Sequence, residues 1–270
     1  MKRNIFIEGI PGTGKSTLQT RLAQEMPEYR IYREGDLSPV ELAWCSCLTR
    51  EQWEETLLCY PEFAGQIREQ TLVEEDRYLV AYTRILTEKR AFYEEMESHE
   101  IYNGRVDFRI FHDVIMKRYR AFSGETSLFE CSFLQNSIES MMLFYQMKED
   151  EILAFYEEAY GILRKKRFGL VYLDTDEIRG GLLHIKEERS DEDGNEMWYP
   201  LMLNFLKASP YGREHGYEGL EDVAGHFERR RQLEMRVLGE ILKEDCLILK
   251  AKGDLSDMAA ACVRFADMSV

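Results

Sequence analysis

Near the start of the chain an apolar run, Ile5-Phe6-Ile7, passes through Glu8 into Gly9-Ile10-Pro11-Gly12-Thr13-Gly14-Lys15-Ser16. A stretch of helical character follows from Ser16 onward. This combination constrains a fold tightly: a strand enters, the backbone turns through conformations that glycine adopts without a Cβ penalty, and a helix leaves. The spacing fits G-x-x-x-x-G-K-[ST], a loop whose successive amides face one concavity at a helix N-terminus. In such a loop Lys15 reaches the β and γ phosphates as a point charge, and the Ser16 hydroxyl is a ligand for Mg²⁺. Gly9, Pro11, Gly12, Thr13, Gly14, Lys15, Ser16 and Thr17 are therefore the residues expected to bind a nucleotide, with ATP and Mg²⁺ as cofactors. The competing reading is a glycine turn that matches by accident. With glycine near ~7% of an average chain, that would occur in about one chain in a hundred of this length, and the flanking strand and helix lower the odds further.

Apolar runs without polar alternation recur at residues 4–8, 30–33, 127–131, 169–174 and 246–250, as expected for strands covered on both faces. Helical patterns lie between them at 16–25, 64–97, 106–122, 134–147, 151–166, 226–243 and 256–266. Such alternation predicts an α/β fold with right-handed crossovers. With the loop, it predicts a P-loop NTPase three-layer αβα sandwich around a five-stranded parallel sheet of order 2-3-1-4-5. One domain spanning 1–270 is expected, with a helical insertion at about 39–125 and a lid region at about 175–225. The stretch at 186–195 is highly charged and ends in a Gly-Asn turn, and the glycine-rich stretch at 208–225 reads as irregular loop.

Charge and cysteine usage narrow the function classes. Fifty acidic residues stand against 35 Lys and Arg, a net charge of −15, so the chain repels phosphate backbones and no nucleic-acid polymer is expected as partner. A single small anion in a locally basic pocket is still allowed. The six cysteines form no Cys-x-x-Cys pair and read as reduced thiols. No apolar run approaches a membrane span or a leader peptide, so the expectation is a cytoplasmic protein without a membrane partner. The assembly is left open to a homodimer.

The branches of P-loop proteins separate on further residues. The chain contains no Asn-Lys-x-Asp guanine reader, and Asp174, after Leu170-Val171-Tyr172-Leu173, is followed by Thr175 rather than by the glutamate common in mechanical ATPases. Beside the loop stand three more segments: Arg33-Glu34-Gly35-Asp36-Leu37-Ser38-Pro39-Val40 running on to Trp44; Phe129-Glu130-Cys131-Ser132-Phe133; and Val171-Tyr172-Leu173-Asp174 followed by Ile185-Lys186-Glu187-Glu188-Arg189. In this order, and across nearly the whole chain, the four segments resemble the deoxynucleoside kinase and thymidylate kinase families.

That resemblance implies a phosphotransferase acting on a small-molecule phosphate acceptor, a nucleoside or nucleotide before others. It implies a carboxylate, Glu34 or Asp36, that accepts the proton of the attacking hydroxyl, and four residues at 35–38 are inserted relative to the family segment. It implies that Glu130 orients Mg²⁺ beside Ser16, and that Arg189, with Lys186, closes over the phosphates as lid cation. The expected catalytic set is Lys15, Glu34, Asp36, Glu130 and Arg189, and the expected metal set is Ser16 and Glu130. One departure matters: Cys131 stands where the family carries arginine. Two other readings stay open beside the kinase of nucleosides: a kinase for another small hydroxyl compound, antibiotic or sugar-like, and a regulatory P-loop ATPase switch.

Outside these segments the bland reading leads. Gln66 and Gln70 read as a solvated helix face, and Arg229-Arg230-Arg231 as a salt-bridged one, with a phosphate contact the alternative. Asp174 has a second reading as a magnesium-holding acid.

Overall fold

A computed structural model describes residues 2–188 and 198–268. The chain opens with β1 (Asn4–Glu8), α1 (Lys15–Glu25) and β2 (Arg30–Tyr32). It continues through β3 (Ser46–Leu48), α2 (Arg50–Cys59), α3 (Ala64–Glu69), β4 (Thr71–Glu74), β5 (Arg77–Val80) and α4 (Arg90–Ser98). Next come α5 (Phe108–Ala121), β6 (Ser127–Glu130), α6 (Gln135–Glu139), α7 (Glu149–Leu163) and β7 (Phe168–Asp174). The last part holds α8 (Ile178–Glu188), α9 (Trp198–Ala208), α10 (Pro210–Glu214), α11 (Leu220–Arg236), β8 (Cys246–Lys250) and α12 (Leu255–Asp267). Two compact units result, one of Glu34–Arg118 and the other of the chain before and after it.

The larger unit is an α/β structure on a five-stranded sheet, β2-β6-β1-β7-β8, in which every pairing is parallel. The expected 2-3-1-4-5 becomes this order because three further strands, which the apolar pattern did not reveal, fall between β2 and β6. β1 and β6 are buried along their whole length, and the edge strands β2 and β8 are only partly covered. That gradient explains the continuous apolar runs of the central strands. On one face α1 and α12 pack over Ile5, Ile7, Val171 and Leu173 through Leu18, Leu22, Ala259 and Cys262. Within the sheet Phe6 stacks on Phe129 with ring centres 4.7 Å apart, and Phe129 stacks in turn on Tyr32 at 5.0 Å. The Asp254 carboxylate caps α12 by accepting from the Ser256 and Asp257 amides, each at 3.0 Å.

The smaller unit departs from the expected helical insertion. It carries an antiparallel sheet, β3-β5-β4, beside its helices. The helix anticipated over 64–97 is broken into α3, the β4–β5 hairpin, a 3₁₀ turn (Tyr82–Arg84) and α4. The hairpin turns at Glu75, whose φ is 53°, a left-handed conformation that no glycine announces in the sequence. The apolar residues read as one helical stripe, Ile67, Tyr82, Ile85 and Tyr93 among them, instead meet from several short elements in or against one core. Residues 208–225 are also more regular than expected. Ser209 caps α10 by accepting from the Gly212 amide at 2.9 Å, and α11 starts at Leu220 rather than 226. Two helices end in π turns, Ser140–Phe144 after α6 and Val237–Leu242 after α11.

Candidate active site

The glycine loop connects β1 to α1 as the motif requires. Gly9, Gly12 and Gly14 have φ of 143°, 79° and 92°, and Gly14 serves as the helix N-cap. The space at Gly9 is closed as well: a Cβ there would lie 2.7 Å from the Leu173 carbonyl oxygen of β7. Thr13 ties the turn internally, its hydroxyl donating to the Ile10 carbonyl at 2.9 Å. Lys15 is buried, and its ammonium donates to the carbonyls of Gly9 at 2.8 Å and Ile10 at 3.1 Å. The ammonium therefore curls back over its own loop. It sits with the first amides of an eleven-residue helix, whose dipole adds partial positive charge at that end.

Ser16 faces the end of the neighbouring strand. Its hydroxyl donates to the Glu130 carboxylate. Register accounts for the meeting: Ile7 of β1 pairs with Glu130 of β6, and the Cys131 amide donates to the Ile7 carbonyl at 3.1 Å. A hydroxyl and a carboxylate side by side form an all-oxygen pair of the kind that suits Mg²⁺, which completes its shell with water and phosphate oxygens. No cluster of three or more His, Cys, Asp or Glu residues with metal-holding geometry exists among the described residues. A magnesium ion held mostly by nucleotide oxygens and water needs none.

Sequence reasoning missed Glu8, the residue just before the loop. It is fully buried, and its carboxylate accepts from the Phe133 amide at 2.7 Å, the Leu134 amide at 3.1 Å and the Gln135 amide at 3.3 Å. Burial pushes this carboxyl up to about 7 against those hydrogen bonds. Glu8 thus ties the strand entering the loop to the segment leaving Glu130. No sequence signal marks it, since its partners are main-chain amides. Cys131, between the two, is buried with φ of 53°.

A second polar group lies inside the same unit. Arg230 of α11 donates to Glu234 and to Glu139, each at 2.7 Å, and His226 Nε2 lies 2.7 Å from Glu139. The Tyr172 hydroxyl of β7 donates to Glu234 at 2.6 Å. Burial alone would raise the Glu139 carboxyl, but His226 and Arg230 outweigh it and bring it down to about 2. The run Arg229-Arg230-Arg231 thus divides by face. Arg230 is buried in this cluster, Arg229 donates to the Tyr217 hydroxyl, and Arg231 grips Asp174 through two hydrogen bonds of 2.6 and 2.9 Å. Asp174 therefore ends β7 paired with a guanidinium.

The remaining expected site residues lie on other elements. Glu34 and Asp36 belong to the smaller unit, where Asp36 pairs with Arg84. Gly35 between them has φ of 82° and lies against the Trp44 ring, so a Cβ there would come within 2.6 Å of it. Gln66 lies on α3, and Gln70 closes it. Lys186, on α8, lies over the Tyr199 ring at 5.2 Å. Arg189 lies outside the described residues.

No family model matches the chain, and no curated protein matches it. Among solved structures, it is similar to a deoxyadenosine kinase from M. mycoides with bound dATP. That likeness covers 97% of each chain at 11% identity and a TM-score of 0.39. No helix among the described residues is long and apolar enough to cross a membrane.

Proposed function

We propose that this protein is an ATP- and Mg²⁺-dependent kinase that transfers a phosphoryl group to a small-molecule acceptor, a nucleoside or nucleotide. The observation that supports this reading is the pairing of the loop with Glu130: Ser16 follows the buried Lys15, and its hydroxyl meets a carboxylate on the adjacent parallel strand. A structural loop would have little reason to bring a lysine and a carboxylate to one buried strand end, where charge is costly without a partner.

On this reading the amides of Gly12–Ser16 hold the donor's phosphates, and Lys15 leaves the Gly9 and Ile10 carbonyls to meet phosphate oxygens. Ser16 and Glu130 would hold the magnesium ion, which neutralises charge on the transferring group. Glu34 or Asp36 takes the acceptor's proton late in the transfer, and Arg189 clamps the phosphates as the lid closes. The protein's part is positioning and charge compensation. Cys131 favours a second acceptor class, another small hydroxyl compound. A buried thiol supplies no cation where the resembling kinases carry arginine, so an acceptor with less charge beside Glu130 fits as well.

ADP release measured across nucleosides, nucleotides and alcohols, with mass analysis of the product, tests the proposal. A phosphorylated product formed in proportion to ADP, and lost in Lys15→Ala, is the expected result. ADP formation that needs no acceptor and leaves no phosphorylated product would overturn it in favour of a switch ATPase.

A further inference from the structure

The glycine loop begins one residue after a buried acid. Glu8 ends β1 without exposed surface, and the Gly9 carbonyl that follows it accepts from the Lys15 ammonium at 2.8 Å. The two oxygens of the Glu8 carboxylate are served unequally. Oε1 accepts from the Phe133 amide at 2.7 Å and from the Leu134 amide at 3.1 Å, whereas Oε2 takes the Gln135 amide at 3.3 Å, the longest of the three. A proton placed on Oε2 gives up that one long hydrogen bond and leaves both shorter ones in place, so the same cradle accommodates the neutral carboxyl.

Charged and hydroxyl groups surround this carboxylate. Lys15 faces it from the loop, Tyr172 is its register partner in β7, and the Tyr156 hydroxyl of α7 donates to the Phe133 and Leu134 carbonyls beside it. Glu234 of α11 faces it as well, paired with Arg230 at 2.7 Å. In β6, Glu130 is the register partner of the preceding Ile7 and accepts from Ser16. Burial raises both phenols well above their ordinary range, so neither titrates near neutrality. Burial also pushes the Glu8 carboxyl up to about 7; Glu234 adds to the rise, and Lys15 opposes it.

We infer that Glu8 takes up a proton from solvent on Oε2 when the donor's phosphates fill the loop, and returns it when they leave; this rests on the reading of the loop as the donor site. Two changes act on the same carboxylate. Lys15 turns from the Gly9 and Ile10 carbonyls toward phosphate oxygens, and anionic charge arrives at the loop amides. Both disfavour the ionised form of a fully buried acid. The donor-bound protein therefore holds this proton more tightly than the free protein does. Donor affinity is highest at acid pH and declines as pH rises through and above about 7.

Calorimetric titration of the full chain with ADP, in buffers of different ionisation enthalpy from about pH 6 to about pH 9, counts the protons exchanged per nucleotide. With magnesium withheld, so that phosphate charge alone enters, about 0.3 proton or more should be taken up near pH 7.5. The maximum should fall above about pH 7, beyond the ordinary histidine range, and the nucleotide's own phosphates at a cationic loop contribute release rather than uptake. Glu8→Gln keeps an accepting oxygen and should abolish the uptake while ADP still binds; uptake that survives there overturns the proposal. Saturable binding with uptake below about 0.1 proton, with net release, or with a maximum below about pH 6.5 also overturns it and leaves the donor site standing. No saturable binding, with or without magnesium chloride, overturns the donor site itself and the role of Glu8 with it. If Glu8→Gln does not fold, the size and pH maximum of the wild-type uptake decide the matter.

Discussion

Glu8, the last residue of β1, holds the amide of Phe133 at 2.7 Å across 125 positions of sequence. The same carboxylate takes the amides of Leu134 and Gln135, so one side chain positions the chain segments on either side of Ser16 and Glu130. Glu8→Ala would leave three amides without an acceptor in a fully buried setting. At about 1–3 kcal/mol for an unmet buried group, partly relieved by water, a loss of about 3 kcal/mol is expected in urea denaturation at neutral pH. Glu8→Gln retains an accepting oxygen and should cost less than half as much.

Stability should fall as pH rises through the weakly acid range, and two residues account for it. Glu8 and Glu100 are both pushed up to about 7, first by burial. Their folded forms hold protons more tightly than the unfolded chain does. The stabilisation they contribute is therefore complete below about 4.5 and is lost as pH climbs through about 7, by up to about 3 kcal/mol for each group. Glu100 accepts from the Tyr82 hydroxyl at 2.7 Å, a bond that the amide oxygen of Glu100→Gln can keep. Denaturation curves of Glu100→Gln between pH 4.5 and 8 should show a shallower decline than those of the parent. An unchanged slope would remove Glu100 from the account.

Arg230 compensates two buried carboxylates, Glu139 and Glu234. Arg230→Met would leave those acids without their shared cation, and breaking a buried pair in this way costs about 3–5 kcal/mol. Chemical denaturation of Arg230→Met should show a loss of that size, with partial recovery in the triple variant that also replaces Glu139 and Glu234 by glutamine. Equal stability of the single and triple variants would mean that the charges are not what the arginine serves.

What the sequence discloses depends on how local the physics is. β1, β6 and β7 are legible because strands buried on both faces carry continuous apolar runs, and the loop is legible because its glycines and Lys15 act on one another within eight residues. The β4–β5 hairpin is hidden for the opposite reason. Its strands are four residues each, its turn at Glu75 lacks glycine, and its apolar side chains fall by chance near helical spacing. Glu8 is hidden because an isolated charge has no period and its partner Phe133 lies 125 positions away; Arg230 stands in a run the sequence singles out, with Glu234 one turn on, but its burial against Glu139, 91 positions away, leaves no local sign. The Ser16–Glu130 pairing stands between these cases. Both residues can be singled out from the sequence, yet their meeting depends on the parallel register of β1 and β6.

Gly12 couples the loop to α8. A Cβ built there would lie 2.5 Å from Ile185 Cδ1 and 2.9 Å from its Cγ1, and the residue's φ of 79° disfavours any side chain. Gly12→Ala therefore meets two separable penalties, a steric one at Ile185 and a backbone one of about 1–2 kcal/mol. Ile185→Ala alone loses a buried side chain and should cost about 2–4 kcal/mol. If the steric penalty is real, the double variant should be more stable than the sum of the two single losses predicts, by about 1 kcal/mol, with the backbone penalty remaining. Thermal or urea denaturation of the four proteins in the cycle measures that coupling. Strict additivity would show that the Ile185 side chain turns aside without cost and that only the left-handed backbone demands glycine at this position.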